Sequence, residues 1–347
     1  MANLASRYVW LAKETNFGAT PGSPTKVYGE IDEESMKQEM ELLDRADITR
    51  YGKRKTVIGM RTAGGELSMA LQGDRFCGML IGQVFGSNTH AGSGAPYTNT
   101  LAETDDESVF NSYTIGVGRD TMEHRYLGQV LDELSIGANV GEYVMLSATF
   151  LGAKEDDSGT SGPGSKGFAL AAPTNSDLHT GDAFHFQGAK VNFESKLSGT
   201  NYSEFVKSVE ISFSLGRDKE NSYALASQTC TRAPPPTLRE ITGSIEFNRV
   251  INAATVADNE PHWDELLEGL LVDGDATNPA ISLSFAGGTN ESLEINIYKV
   301  QYETPDSNVS GRDTQTLSLS FYALFDEAVG AMSDALWTTT DSNDITS

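Results

Sequence analysis

A chain of 347 residues is longer than one hydrophobic core usually organises, so two domains of about 150 residues are expected. Its 49 acidic residues against 25 basic ones leave a net charge of -24, a surface that repels phosphate backbones and excludes tight nucleic-acid binding. Hydrophobic residues at 38% with 34 glycines fit a β-rich chain better than a helical bundle, no apolar run is long enough to span a bilayer, and Cys77 and Cys230 are too few for a disulfide framework.

In chain order, residues 1–35 read as an N-terminal arm. It holds the turn formers Glu14-Thr-Asn-Phe-Gly-Ala-Thr-Pro-Gly and a short strand at Val27-Tyr28. Residues 36–43, with Met36, Met40 and Leu42 among acids, lean to strand over helix. From Thr56 to Gln72 the chain alternates, Leu67 and Met69 on one face and Glu66 and Ser68 on the other, which marks a half-buried strand. Arg75 to Phe85 places Phe76, Met79, Leu80 and Ile81 at helical spacing before Gly86-Ser87, so a short helix covers one sheet face. Residues 87–112 read as a long polar loop. Strands follow at 111–118, 124–137 and 141–152.

Residues 153–183, rich in Gly, Ser, Pro and Asp, read as a linker. Beyond it come strands at 184–194 and 206–216, the second with Val209, Ile211, Phe213 and Leu215 alternating with Ser208, Glu210, Ser212 and Ser214. Pro234-Pro-Pro236 bends the chain before a strand at Ile241 to Asn248. His262 to Val272 is a second helix, with Trp263, Leu266, Leu267 and Leu270 on one side. Strands at 280–286, 291–302 and 313–325 precede a polar tail, loose at its end, that begins at Asp326.

This order repeats. Thr49-Arg50, Gly65-Glu66-Leu67-Ser68-Met69, Phe76-x-x-Met79-Leu80-x-Gly82 and Leu146-Ser147-Ala148-Thr149-Phe150 are echoed downstream. The echoes are Thr231-Arg232, Gly243-Ser244-Ile245-Glu246-Phe247, Trp263-x-x-Leu266-Leu267-x-Gly269 and Leu317-Ser318-Leu319-Ser320-Phe321. The expectation is a mainly β protein of two tandem domains, each flanked by a short α-helix: 1–152 with its arm, a linker at 153–183, 184–330, and a tail at 331–347. A duplicated unit points to assembly by repetition rather than to catalysis.

Little chemistry is on offer. His90, His124, His179, His185 and His262 are scattered without zinc-site spacing, and no nucleophile, phosphate or dinucleotide motif sits in its required context, so neither an enzyme nor a cofactor is expected. Asp105-Asp106-Glu107 and Glu155-Asp156-Asp157 offer calcium several oxygens but lack the spacing of a calcium loop, and read as solvated charge. Trp10, Trp263 and Phe321 read as core rather than as a glycan platform.

A family resemblance rests on Glu14-Thr-Asn-Phe-Gly18, Thr49-Arg50, Gly65-Glu66-Leu67 leading into Phe76-Cys-Gly-Met-Leu-Ile-Gly-Gln-Val-Phe-Gly86, Gly128, and Gly141-Glu-Tyr-Val-Met-Leu-Ser-Ala-Thr-Phe-Leu-Gly152. Together these resemble the tail tube proteins of long-tailed, non-contractile bacterial or archaeal viruses. The likeness covers most of the chain and is strongest over 14–152. It implies two tandem tail-tube-type β-sandwich or barrel domains, of which six close an inner barrel. A chain with two copies then forms a homotrimeric ring with pseudo-sixfold symmetry. Such rings stack into a hollow tube around a tape-measure protein, between a tail terminator and distal tail or baseplate proteins, and viral DNA passes through without tight binding. The implied setting is the virion tail, assembled in the host cytoplasm, with no membrane contact.

In such a ring a strand facing the bore alternates apolar toward the core and small, polar or acidic toward water. Glu66, Ser68, Ser147, Thr149, Glu210, Ser212, Ser244, Glu246, Ser318 and Ser320 show that alternation and are the candidate bore-lining residues. An ordinary solvated outer face would alternate the same way. Segments 15–26, 44–56, 87–110 and 153–183 are candidates for ring-to-ring contacts. The alternative to a tube protein is a β-sandwich adhesion or decoration module that binds glycan or calcium.

Overall fold

The computed structural model describes residues 7–20, 22–45, 55–104, 106, 110–161, 167–193, 200–201, 206–247, 271–273, 279–303, 306–308 and 316–345. The first strands are β1 (Arg7–Lys13), β2 (Val27–Gly29), β3 (Glu33–Glu34), β4 (Lys37–Arg45) and β5 (Lys55–Ala70), followed by helix α1 (Arg75–Phe85). After it come β6 (Gly86–Ala91), β7 (Tyr97–Glu103), β8 (Tyr113–Arg119), β9 (Met122–Asn139), β10 (Met145–Gly152) and β11 (Lys154–Glu155). The second half holds β12 (Ala189–Phe193), β13 (Thr200–Asn201), β14 (Val206–Ser214), β15 (Glu240–Phe247) and β16 (Leu271–Asp273). It ends with β17 (Ile281–Ala286), β18 (Ser292–Ile297), β19 (Lys299–Tyr302), β20 (Asp306–Asn308), β21 (Thr316–Leu324) and β22 (Ser333–Thr339).

These strands make two sheets. The larger has fifteen strands along the path β16-β19-β21-β15-β14-β9-β10-β5-β3, and the smaller has seven in the order β13-β12-β17-β18-β22-β7-β6. Apolar residues on alternate positions of both sheets form one continuous core cluster, from Leu67, Leu146 and Ile136 to Ile245, Leu283 and Trp337. The protein is therefore mainly β, a sandwich, as the period-two patterning predicts.

Helix α1 spans the residues its spacing predicts. Asp74 caps it by accepting from the Cys77 N–H at 2.7 Å, and Gly86, at a φ of 87° that favours glycine, ends it. Every helix residue but Arg75 is buried, because α1 packs against β2 and β9 of the larger sheet and β6, β7 and β22 of the smaller one.

The pairing scheme recurs along the chain. In the first half β1 pairs β8, β8 pairs β9, β9 pairs β10 and β11, β10 pairs β5, and β5 pairs β3 and β4. In the second, β12 pairs β17, β17 pairs β18, β18 pairs β22, β19 pairs β21, β21 pairs β15, and β15 pairs β14. All are antiparallel. The two halves meet where β9 pairs β14 in the larger sheet and β7 pairs β22 in the smaller, so strands from both predicted domains share each sheet.

Four expectations change. The arm contains β1, whose residues 8–12 are buried between β2 and β8. The polar loop at 87–112 contains the β6–β7 hairpin, and the tail from Asp326 supplies β22, a central strand of the smaller sheet with Trp337 fully buried. The linker pairs too: β11 bonds β9, and Phe168 exchanges backbone hydrogen bonds with Glu123. β1 with β8, β22 with β7, and Phe168 with Glu123 are partners far apart in sequence, so no local periodicity announces them, whereas β6 and β7 form a local hairpin from mostly polar residues. Of the predicted second helix, residues 262–270 lie outside the described residues, and Leu271–Asp273 is a strand.

Two buried carboxylates pin this framework. Glu14 accepts from the Gly18 N–H at 2.9 Å, Ser112 Oγ at 2.7 Å, Thr114 Oγ1 at 2.9 Å and the Gly128 N–H at 2.8 Å. One side chain thus joins three positions of the resemblance motif, Glu14, Gly18 and Gly128. Glu123 accepts from Tyr8 Oη at 2.8 Å, Trp10 Nε1 at 2.9 Å, Lys26 Nζ at 3.2 Å and Arg125 Nε at 2.7 Å. Burial opposes its ionisation, but those donors and the Lys26 charge prevail and hold its carboxyl below the usual glutamate value.

Candidate functional site

The ten residues selected from alternation come together on one face of one sheet. Strands β5, β10, β9, β14, β15 and β21 lie side by side, and their registers align polar residues in rows. One row runs Ser68, Ser147, Ser135, Ser212, Thr242. The next runs Glu66, Thr149, Glu133, Ser214, Glu240. A third holds Gly137, Glu210, Ser244 and Ser320, and a fourth Asn139, Ser208, Glu246 and Ser318.

The intervening residues turn the other way. Leu67, Leu146, Ala148, Leu134, Ile136, Ile211, Ile245 and Leu319 are at most 1% exposed, and burying a side chain of Leu or Ile size contributes about 1.5–3 kcal/mol each. A one-residue slip of any of these strands would exchange the two faces, so the buried side fixes the register that keeps the polar face polar.

Short bonds within this face hold its side chains in place. Ser147 Oγ donates to Glu66 Oε1, and Ser212 Oγ donates to Glu133 Oε1 at 2.8 Å. Lys207, at a bulge in β14, donates to Glu246 Oε1 at 2.9 Å. Glu66 and Glu133 are two strands apart, about 10 Å at ~4.8 Å per strand, which is close to the Debye length of about 8 Å at physiological ionic strength. Their mutual repulsion is therefore mild while the face as a whole stays negative.

Glu133, Ser135, Ser208, Ser214, Glu240 and Thr242 belong to the same face and were absent from the sequence-derived set. The signal for the first two was present in Glu133-Leu-Ser-Ile-Gly137, which alternates like the rest. Glu240 precedes the strand predicted from Ile241, so a boundary placed one residue late hid it.

The acidic runs considered for calcium make other contacts. Glu155 bonds His124 Nδ1 at 2.6 Å, and Asp156 Oδ1 accepts from the Ser158 N–H at 3.0 Å. Asp105 and Glu107 lie outside the described residues, among which no group of three His, Cys, Asp or Glu side chains is arranged to hold a metal ion. Trp10 and Phe321 are core residues, and Trp263 lies outside the described residues.

A second surface stands apart. The β4–β5 hairpin exposes Met40, Leu42, Leu43, Val57 and Met60, each about half exposed. From Lys55 to Ile58 the ladder partner of β5 is β4 alone, while at its base Gln228 bonds the backbone of Ile58 and Arg61 and Tyr223 Oη donates to the Arg61 carbonyl.

Residues 5–323 match the family model described as phage tail tube protein. No curated protein matches the chain.

Proposed function

Because the chain belongs to the phage tail tube protein family, we propose that three copies close into a ring with pseudo-sixfold symmetry and that such rings stack into the hollow tube through which the genome leaves the virion. Membership makes the protein a structural component of the phage tail that self-assembles into a tube with other tail proteins. The finer reading is that the six-strand polar face lines the bore, that a tape-measure protein fills it before ejection, and that tail terminator and distal tail or baseplate proteins close its ends. Assembly takes place in the host cytoplasm.

One observation carries this reading: a single unbroken antiparallel arc runs through both halves of the chain, polar on one side and core on the other. The recurring strand scheme supports a duplicated unit, and closing the arc with further copies satisfies the backbone groups of its edges. The carboxylates on the polar face suit a channel for a polyanion, since like charge keeps phosphates moving past. The exposed apolar hairpin β4–β5, which includes part of segment 44–56, is the surface proposed to reach the adjacent ring.

Negative-stain microscopy of the purified protein tests the reading. Stacked hollow rings with three chains per ring are expected, and protein that stays monomeric at all concentrations would overturn it.

A further inference from the structure

We propose that residues 220–231, in the connection between β14 and β15, are a brace that holds the β4–β5 hairpin in position for its contact with the adjacent ring, with Tyr223 and Gln228 as the positioning residues. The contact rests on the ring reading above, whereas the brace is a feature of the single chain.

Two aromatic–glycine pairs align the halves: Phe150 opposite Gly65, and Phe321 opposite Gly243. On their other sides the two glycine-bearing strands pair β4 and β14, so the β14–β15 connection is the second half's counterpart of the β4–β5 hairpin. The counterparts take different courses. β4 and β5 stay paired as far out as Arg45 opposite Lys55, but β14 and β15 part beyond Ser214 opposite Glu240. The cause is written in the sequence, where Pro234, Pro235 and Pro236 stand as far before Gly243 as Thr56, Val57 and Ile58 stand before Gly65. Three successive prolines give a ladder no N–H groups, whereas Thr56, Val57 and Ile58 pair Asp44, Leu43 and Leu42.

The connection freed in this way is an ordered loop. Its neck is closed by the Thr237 N–H on the Gly216 carbonyl and the Asp218 N–H on the Pro235 carbonyl, each at 3.0 Å. Its start is tied to β9, where the Leu215 N–H donates to the Asp132 carbonyl at 2.8 Å and the Arg217 N–H to Asp132 Oδ1 at 2.9 Å. Within it the Thr231 N–H donates at 2.9 Å to the carbonyl of Ser222, a fully buried residue. The loop then reaches β5. The Arg61 N–H donates to the Gln228 carbonyl at 2.6 Å, Tyr223 Oη to the Arg61 carbonyl at 3.1 Å, and Gln228 Nε2 to the Ile58 carbonyl at 3.1 Å.

These bonds fall at the root of the hairpin. β10 leaves β5 at Gly152 opposite Ala63, and the loop takes up β5 two residues further out, at Arg61. Beyond that point Met40, Leu42, Leu43, Val57 and Met60 are about half exposed, and a two-stranded hairpin without a buried face is only marginally stable in water. Fixing its root therefore fixes where it points, and a docking surface already held in its bound position loses less freedom on association. In a ring of three chains this gives three braced hairpins, although six half-chains surround the bore.

Tyr223→Phe and Gln228→Ala, made singly and together, test the brace. Each removes one side-chain hydrogen bond and is first checked for the parent's urea midpoint. In the unassembled protein, hydrogen exchange of the backbone amides from Ile58 to Arg61 should speed up by roughly tenfold in the double variant, with amides elsewhere unchanged. Its rings should form at the parent's concentration, while growth of rings into tubes, followed by light scattering and microscopy, should need about tenfold more protein. Exchange at the parent's rate overturns the brace. Faster exchange with tube growth like the parent's overturns its part in positioning, and so does a variant whose rings fail along with its tubes. A parent that never forms rings overturns the ring reading, whereas the exchange measurement needs no ring and decides the brace by itself.

Discussion

Phe321 lies directly across the β15–β21 pair from Gly243, and its ring fills the space a side chain at that position would need. A Cβ on Gly243 would also stand 2.7 Å from the Glu210 carbonyl oxygen on the other neighbouring strand. Glycine is required here for close approach on both sides. Gly243→Ala is expected to destabilise the protein by about 1–3 kcal/mol, the usual cost of overpacking, read as a lower urea midpoint. An unchanged midpoint would mean that the ring moves aside freely.

Glu14 tests whether the motif that carries the family resemblance is structural. Glu14→Ala strips acceptors from the N–H groups of Gly18 and Gly128 and from two hydroxyls, in a site where water does not readily replace them. A loss of about 3 kcal/mol or more is expected in chemical unfolding, since each buried group left unpaired costs about 1–3 kcal/mol. A loss under about 1 kcal/mol would show that water or a local shift replaces the carboxylate.

Asp74 makes stability depend on pH. Burial, only partly offset by the Cys77 N–H and the nearby His179, pushes its carboxyl up to about 6, with Glu30 adding to the rise. A carboxyl raised in the folded state binds its proton more tightly there than in the unfolded chain. Its contribution is therefore fully present below the unfolded value near 4 and is lost as pH rises through about 6. Asp74→Asn keeps an acceptor at the helix cap and cannot titrate. The stability of the parent relative to this variant should rise as pH falls from 7 to 4, measured by urea unfolding across that range; parallel pH profiles would contradict it.

Reversing charge on the polar face tests its role in transit. Glu66→Lys and Glu246→Lys together are expected to slow or stall genome release while tail length stays normal, followed by the kinetics of DNA release from purified virions. Glu246 now faces Lys207 at 2.9 Å, so the second substitution also sets two cations side by side. Release at the parent rate would remove the face from any part in conduction.

Deleting residues 95–106 separates a contact loop from a structural strand. That segment contains β7, which bridges β6 and β22 in the smaller sheet, with Asn99 and Leu101 fully buried. The expected outcome is loss of soluble folded protein, judged by expression and circular dichroism. Soluble protein that fails only to polymerise would instead assign the segment to ring contacts.

Much of the fold was legible where its cause is local. The alternation of Val209, Ile211 and Phe213 with serine and glutamate placed β14, and the spacing of Phe76, Met79 and Leu80 with Asp74 and Gly86 at its ends placed α1. The ten polar residues were chosen by the same alternation, and they fall on one face because a strand presents every second side chain to the same side. Glu133 and Ser135 lie outside that set, and what adds them is the register of β9 against β10, which puts Ser135 opposite Ser147 and Glu133 opposite Thr149.

The sequence by itself determined which residues turn inward and which outward along each strand, because period-two patterning is written into neighbouring residues and burial enforces it. Only the tertiary structure decided which strands lie side by side. Nothing near Ser333–Thr339 or Tyr97–Glu103 marks them as partners, and nothing near Asn139 marks β14 as the next strand of its sheet. Such pairings are settled by satisfying backbone hydrogen bonds and closing one core over segments far apart in the chain, a condition on the whole molecule that no local stretch contains.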